Sequence, residues 1–256
     1  MKGERTIIDL SHPIQNSVPG VPEFQRVSVA YQDHAGGGQD IQALFGVGPE
    51  LLRGGEGWAT ETFTHLGTHS STHVDAPLHY NSLIQGRPAQ SIDELPLEWF
   101  YAPGVVLDFR HKADAQAITE TDVEAELGRV GHQLRPLDIV LMHTGRDQYY
   151  GQVDYWLRGP GVSPAATRWL FDQGVRVMGI DAWGWDRPLD VQAREAAAAG
   201  QPGIFWAAHQ LDLPYSQIER LTNLAALPPT GFTVACFPLK LLRGSAAPAR
   251  VVGIVD

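Results

Sequence analysis

His69, His73, Asp75 and His79 lie within eleven residues, in the stretch H-S-S-T-H-V-D-A-P-L-H. Imidazole nitrogens and a carboxylate at this density suit a divalent cation such as Zn²⁺, Mn²⁺ or Fe²⁺, not a thiolate site. A histidine beside such an ion can also carry protons, because its charge changes near neutrality. His65 stands just before the stretch with the same chemistry. A lone histidine is ordinarily a surface or satisfied core residue. Four ligand-type side chains so closely spaced argue for a metal site.

No single regular element brings these groups to one ion. On a helix, His69 and His73 share a face, but Asp75 points roughly opposite, at ~100° per residue. On a strand all four odd-numbered positions share a face, yet His69 and Asp75 stand ~20 Å apart at ~3.3 Å per residue. The chain must bend, and hydroxyl-rich Ser70-Ser71-Thr72 is the expected place. Pro77 bars helix continuation and biases Ala76 to extended backbone. The expectation is a bent segment that gathers His69, His73 and Asp75 on one ion and leaves His79 beside it.

The elements that must position this segment are legible in outline. Thr6 to Leu10 and Arg26 to Tyr31 read as strands. Asp9 and His12, near the end of the first strand, are of types that serve sites, but such residues are more often structural. From Gln32 to Trp58 the chain is glycine-rich and reads as irregular, either a surface connection or a mobile flap covered by Leu44, Phe45, Leu51 and Trp58. Its G-V-G lacks the spacing of a nucleotide loop. Thr60 to His65 reads as the strand delivering the metal segment.

Residues 104–109 and 138–143 are apolar runs of buried-strand type. Between them, 118–130 shows helical spacing of Val123, Leu127 and Val130, with Thr119 and Asp122 as a capping box. Ser163 caps the next helix, Pro164 occupies its first turn and Gly174 ends it. A strand follows at 175–181. This alternation signals α/β architecture. D-A-W-G-W-D-R-P at 181–188 follows at a strand end, where ligand sites of α/β folds concentrate. Trp183 and Trp185 there either flank an aromatic substrate or cap the core. A short Ala-rich helix is expected near 193–199, with His209 beyond it. Residues 215–224 read as a helix carrying Glu219, and 231–241 and 249–255 as closing strands. No linker divides the chain, so one domain is expected over residues 1–256.

Composition excludes several classes of partner. The 256 residues carry a net charge of −10, which disfavours nucleic acid. No apolar run reaches the ~18 residues of a membrane span. The first residues lack the apolar core of a secretion signal, and a single cysteine, Cys236, forms no internal disulfide. A cytoplasmic enzyme fits this pattern. There is no G-x-S-x-G elbow, and Cys236 sits in an apolar run, so neither serine nor cysteine nucleophiles are supported.

The signature H-x-G-T-H-x-D-x-P-x-H resembles that of the cyclase family of metal-dependent hydrolases, which includes kynurenine formamidases and isatin hydrolases. Here Ser71 stands in place of the glycine. D-L-S-H-P-I, L-M-H-T-G, G-I-D-A and E-R-L-T-N-L are weaker landmarks spread over nearly the whole chain. The resemblance implies a mixed β-sheet or barrel core with flanking helices, of the swivelling β/β/α type. It implies that His69, His73 and Asp75 bind Zn or Mn and that His79 is the catalytic histidine. It also implies that His209 and Glu219 join Asp75 around a second ion. The Trp- and Ala-rich passage near 183–207 is longer than in the formamidases, which separates this chain from the formamidase substrate itself. The expected reaction is hydrolysis of an amide, formamide or lactam C–N bond in an aromatic or cyclic small molecule. Rival expectations are a polyketide cyclase or dehydratase using the same ion, and a metal-dependent binding protein without turnover. A homo-oligomer, dimer or tetramer, is expected.

Overall fold

The apolar runs read as buried strands lie side by side in a computed structural model that describes residues 4–256. In chain order the first elements are β1 (Thr6–Asp9), β2 (Val27–Gln32), α1 (His34–Phe45) and β3 (Thr60–Leu66). Then come β4 (His73–Asp75), α2 (Pro77–Tyr80), β5 (Leu83–Ile84), β6 (Arg87–Pro88) and β7 (Tyr101–Asp108). The middle of the chain forms β8 (Ala117–Ile118), α3 (Glu120–Val130), β9 (Ile139–His143), β10 (Gly161–Val162), α4 (Pro164–Asp172) and β11 (Val177–Ile180). It closes with α5 (Leu189–Ala199), β12 (Ser216–Glu219), β13 (Phe232–Ala235), β14 (Ala246–Pro248) and β15 (Val252–Val255).

The chain divides into two compact units, one reaching to Pro13 and resuming at Thr68–Asp256, the other Ile14–Gly67. The larger unit holds a curled nine-stranded mixed sheet, in the order β1-β15-β13-β7-β9-β11-β12-β4-β14. Its centre, β7-β9-β11-β12, is parallel, and antiparallel pairs flank it on both sides. The core lies on both faces. Along β9, Ile139 and Leu141 enter one buried cluster, while Val140 and Met142 enter the other with Val123 and Leu127 of α3 and Leu170 of α4. A strand buried on both faces needs a continuous apolar run, as I-V-L-M supplies. Each such side chain contributes ~1.5–3 kcal/mol on burial. Gly104 is required where β13 crosses β7, since a Cβ there would stand 2.3 Å from the Phe232 ring.

α3 begins as its sequence indicates. The Thr119 hydroxyl accepts from the Asp122 amide at 3.3 Å, and Asp122 accepts from the Thr119 amide at 2.8 Å. Left-handed Gly131 ends the helix.

Two expectations fail. Residues 32–58 are not irregular: twelve of them form α1, capped by the Asp33 side chain and ended by left-handed Gly46. The glycines serve close packing rather than looseness, since a Cβ on Gly37 would lie 1.7 Å from the Trp58 carbonyl oxygen. Residues 215–224 are not a helix. Ser216–Glu219 pairs with β11 on one side and β4 on the other. Left-handed Arg220 and Asn223 (φ +59° and +57°) then rule out helix continuation. The apolar spacing of Tyr215, Ile218 and Leu221 imitates a helix, and sheet pairing overrides it. Among the described residues, no helix is long and apolar enough to cross a membrane.

Candidate metal centre

The expected bend occurs at residues 68–72, which turn before the chain enters β4. As strand residues two apart, His73 and Asp75 share a face. Ala76 is extended (φ −95°, ψ 159°), and Pro77 opens the four-residue α2 that carries His79. Pairing of β4 with β12 sets Glu219 opposite His73. His209 arrives from the turns after α5 and is held by Asp186. That carboxylate accepts from the Ala208 and His209 amides at 3.0 and 3.1 Å, and from His209 Nδ1–H at 2.5 Å.

All six expected side chains meet in one buried place. His69 Nδ1 lies 2.9 Å from Asp75 Oδ1, and His73 Nε2 lies 3.2 Å from the same oxygen. His73 Nε2 is 3.6 Å from Glu219 Oε2. His209 Nε2 is 3.3 Å from Glu219 Oε1 and 4.0 Å from Asp75 Oδ2. The His79 ring stands 4.0 Å from that of His69 and 5.9 Å from that of His209. Donor atoms around one ion at ~2.1 Å are themselves ~3–3.5 Å apart, which these separations approximate. Two overlapping triads with ligand spacing share Asp75: His69-His73-Asp75 and Asp75-His79-His209.

The residues fit a cation by a second criterion. His73 Nε2 and both Asp75 oxygens are buried without a hydrogen-bond partner. His69 Nδ1 approaches Asp75 Oδ1 closely, yet that oxygen is among the buried atoms without a hydrogen-bond partner. Buried polar atoms are normally satisfied, and a cluster of orphans facing one another is what ligands of one ion look like. Their outer contacts fix the tautomers. His73 Nδ1–H donates to the Ser71 carbonyl at 2.7 Å and His209 Nδ1–H to Asp186, which leaves both Nε2 atoms facing inward. The Trp185 amide donates to Glu219 Oε1 at 2.9 Å.

Charge is distributed unevenly. Burial opposes ionisation of Asp75, but His69, His73 and His79 outweigh it and hold the carboxyl well below its usual range. Burial and Asp75 push Glu219 up, and His209 and His73 reverse this. Burial brings His79 down to about 4, so it is neutral at pH 7. Burial also opposes protonation of His209, but Asp186 and Glu219 win and raise it to about 10.

The remaining expectations resolve as follows. Ser71, standing where the signature has glycine, is buried; its hydroxyl donates to the His12 carbonyl at 3.0 Å and accepts from Tyr150 Oη at 3.2 Å. Asp9 pairs with Arg250 at the surface. Trp185 is a core residue, its Nε1–H donating to Thr167, whereas Trp183 is half-buried against Arg220. Burial raises the Cys236 thiol, which makes it inert. Asp186 and Ser245 went unread in the sequence. Ser245 Oγ lies 3.3 Å from His69 Nε2, and the Trp206 indole stacks on His209 at 4.7 Å and stands edge-on to His79 at 5.0 Å. Only the place of Asp186 just past a strand end could have signalled it.

The sheet thus carries a buried cluster of side chains that could hold a metal ion. The chain belongs to the cyclase family: the family model described as putative cyclase matches residues 8–187. It is 31% identical over 188 residues to a kynurenine formamidase of Salinibacter ruber, covering 73% of this chain and 76% of that one. It is 29% identical over 208 residues to an isatin hydrolase of Roseibium aggregatum, covering 74% and 73%. Among solved structures it is similar to isatin hydrolase A from Labrenzia aggregata bound to benzyl benzoate, with TM-score 0.73 and 26% identity over 98% of this chain and 94% of that one.

Proposed function

We propose that this enzyme hydrolyses an amide, formamide or lactam C–N bond in an aromatic or cyclic small molecule, using Zn or Mn held by His69, His73 and Asp75. His209 and Glu219 are the proposed additional ligands, sharing Asp75. The observation that carries the reading is the set of unpartnered, inward-facing atoms of His73 and Asp75. The kynurenine formamidase and isatin hydrolase relatives support the bond type.

When bound, a divalent ion lowers the pKa of its water and polarises a carbonyl. The rest falls to the chain's own residues. His79 is neutral at pH 7 and therefore able to take a proton from the attacking water. With its pKa held near 4, it releases that proton readily to the leaving nitrogen. Trp206 packs edge-on against His79 and restricts its ring, shielding it from bulk water. Asp186 orients His209.

The test is a panel of aryl formamides, amides and lactams, assayed with protein whose metal content has been measured. Turnover that adds one water to the substrate mass, and that stops with a chelator, is expected. Loss of water from the substrate would assign cyclase or dehydratase chemistry, and no turnover on any member would sink the hydrolase reading. We also carry the single functional domain over 1–256 and the homo-oligomer as proposals; sedimentation of the intact protein checks the second.

A further inference from the structure

The helices cover only part of the nine-stranded sheet. On β7, Val105 and Leu107 lie in the buried cluster that also holds Val123 and Leu127 of α3. Tyr101 and Pro103 point to the same side, because successive strand residues alternate faces, yet both are exposed. Among the described residues, none from β13, β15 or β1 enters that cluster. The helical layer stops at β7.

Strand register carries the uncovered face on to the sheet edge. Tyr101 lies opposite Ala235, Ala235 opposite Val252, and Val252 opposite Asp9. Pro103, Thr233, Ile254 and Ile7 form the next row on that side. Ala102 and Val234, in the row between, point into the core on the opposite face. An antiparallel sheet with one face in water alternates apolar inward and polar outward. Here the outward rows are mostly apolar as well. Ile7 is 62% exposed and Tyr101 56%, and the side chains of β13 and β15 between them are half-buried. Exposed Phe237 extends the surface, its ring parallel to that of Tyr101 with centres 6.5 Å apart. Four strands ~4.8 Å apart, over five residues at ~3.4 Å each, span roughly 300 Å² in projection. An apolar patch of that order marks a contact surface.

Charge at the rim indicates what covers it. Arg5 pairs with Asp256 at one end of β1 and β15, and Arg250 pairs with Asp9 at the other. Both cations are neutralised locally, so the face offers nothing to a nucleic acid or an anionic membrane. A net charge of −10 makes two copies of this chain repel at most approaches. At this face each end is neutral. A two-fold axis across the strands lays the Arg5–Asp256 end of one copy over the Asp9–Arg250 end of the other, which sets unlike charges together.

We propose that two copies of this chain pack sheet on sheet through the outer face of β7, β13, β15 and β1. Ile7, Ile254 and Tyr101 form the apolar centre of the contact, and the two ion pairs form its rim. This contact gives the proposed homo-oligomer a surface and is independent of the hydrolase reading.

The test is sedimentation of wild type, Ile7→Lys and Tyr101→Lys, with folding checked by circular dichroism. Both side chains are exposed, so neither lysine has to enter the core. Wild type should sediment as an even-numbered assembly. Each variant should fall to half that mass at the same concentration, with the association weakened ~tenfold or more. Tyr101 lies three strands from Ile7, so hydroxyl-radical labelling of Tyr101 should rise in Ile7→Lys as the whole face opens. A monomeric wild type overturns both this contact and the homo-oligomer. An assembled wild type with unchanged mass in either variant, or with equal Tyr101 labelling in wild type and Ile7→Lys, overturns this face alone.

Discussion

His73 is buried completely, its Nδ1–H is committed to the Ser71 carbonyl, and its Nε2 has no protein partner. Replacing it with alanine should strip most of the metal; full occupancy by elemental analysis in His73→Ala would remove it from the proposed ligand set. His79 is the sharper case, because it has ligand spacing to Asp75 and His209 as well as the position of a proton carrier. His79→Ala should retain metal and lose ~10²–10⁴ in turnover. Metal lost together with His79 would make it a ligand instead. For Glu219→Gln and His209→Ala, metal stoichiometry and rate should both fall, and unchanged values in both variants would exclude them from the site. His209 also makes the ion-free protein pH-sensitive. It keeps its proton up to about pH 10 when folded, against the ordinary 6.5. That stabilisation is complete below pH 6.5 and is lost as pH rises toward 10. Because ligation needs the neutral ring, metal affinity should rise over the same interval. Chelator competition at several pH values measures this, and a flat profile would contradict the protonated state. At this scale His69, His73, Asp75 and His79 were legible because they are neighbours in sequence. His209 and Glu219 were reachable only through resemblance, and Asp186 acts through a contact that no local pattern announces.

The elements divide by how much of their stabilisation is local. α3 was readable in the chain because its start, face and end are all written nearby: the Thr119–Asp122 box, the Val123–Leu127 spacing and Gly131. Thr119→Ala should cost ~1 kcal/mol of stability, read from chemical denaturation. No change in the midpoint would mean the cap contributes nothing. α1 was misread because three glycines suggested a loop, whereas Gly37 lets the helix meet the backbone at Trp58 and Gly38 approaches that of Gly55. Gly37→Ala should therefore destabilise that contact by ~1–3 kcal/mol. Hydrogen exchange would register it as faster exchange of the α1 amides, and unaltered protection would mean the close approach is unimportant. β12 was misread for the opposite reason. Its residues have helical spacing, but partners on both sides impose a strand.

At the scale of the whole molecule, three buried orphan atoms and a set of mutually repelling or competing groups lie at the junction of β4 and β12. A divalent ion that binds only the folded state should raise Tm, and chelation should lower it. A Tm indifferent to chelator, at metal contents shown to differ, would mean that the cluster is stable without a cation. The sequence by itself determined the α/β class and the central strands, and it marked residues 69–79 as a cluster of ligand-type side chains. Each of those rests on neighbours within a dozen positions, on apolar runs, caps and ligand types. Tertiary structure alone decided which distant groups complete the cluster. Glu219 faces His73 because β12 pairs antiparallel with β4, and His209 turns inward because Asp186 binds its Nδ1–H. Strand pairing and a buried ion contact are interactions between segments far apart in the chain, and their energies depend on positions that only the folded sheet supplies.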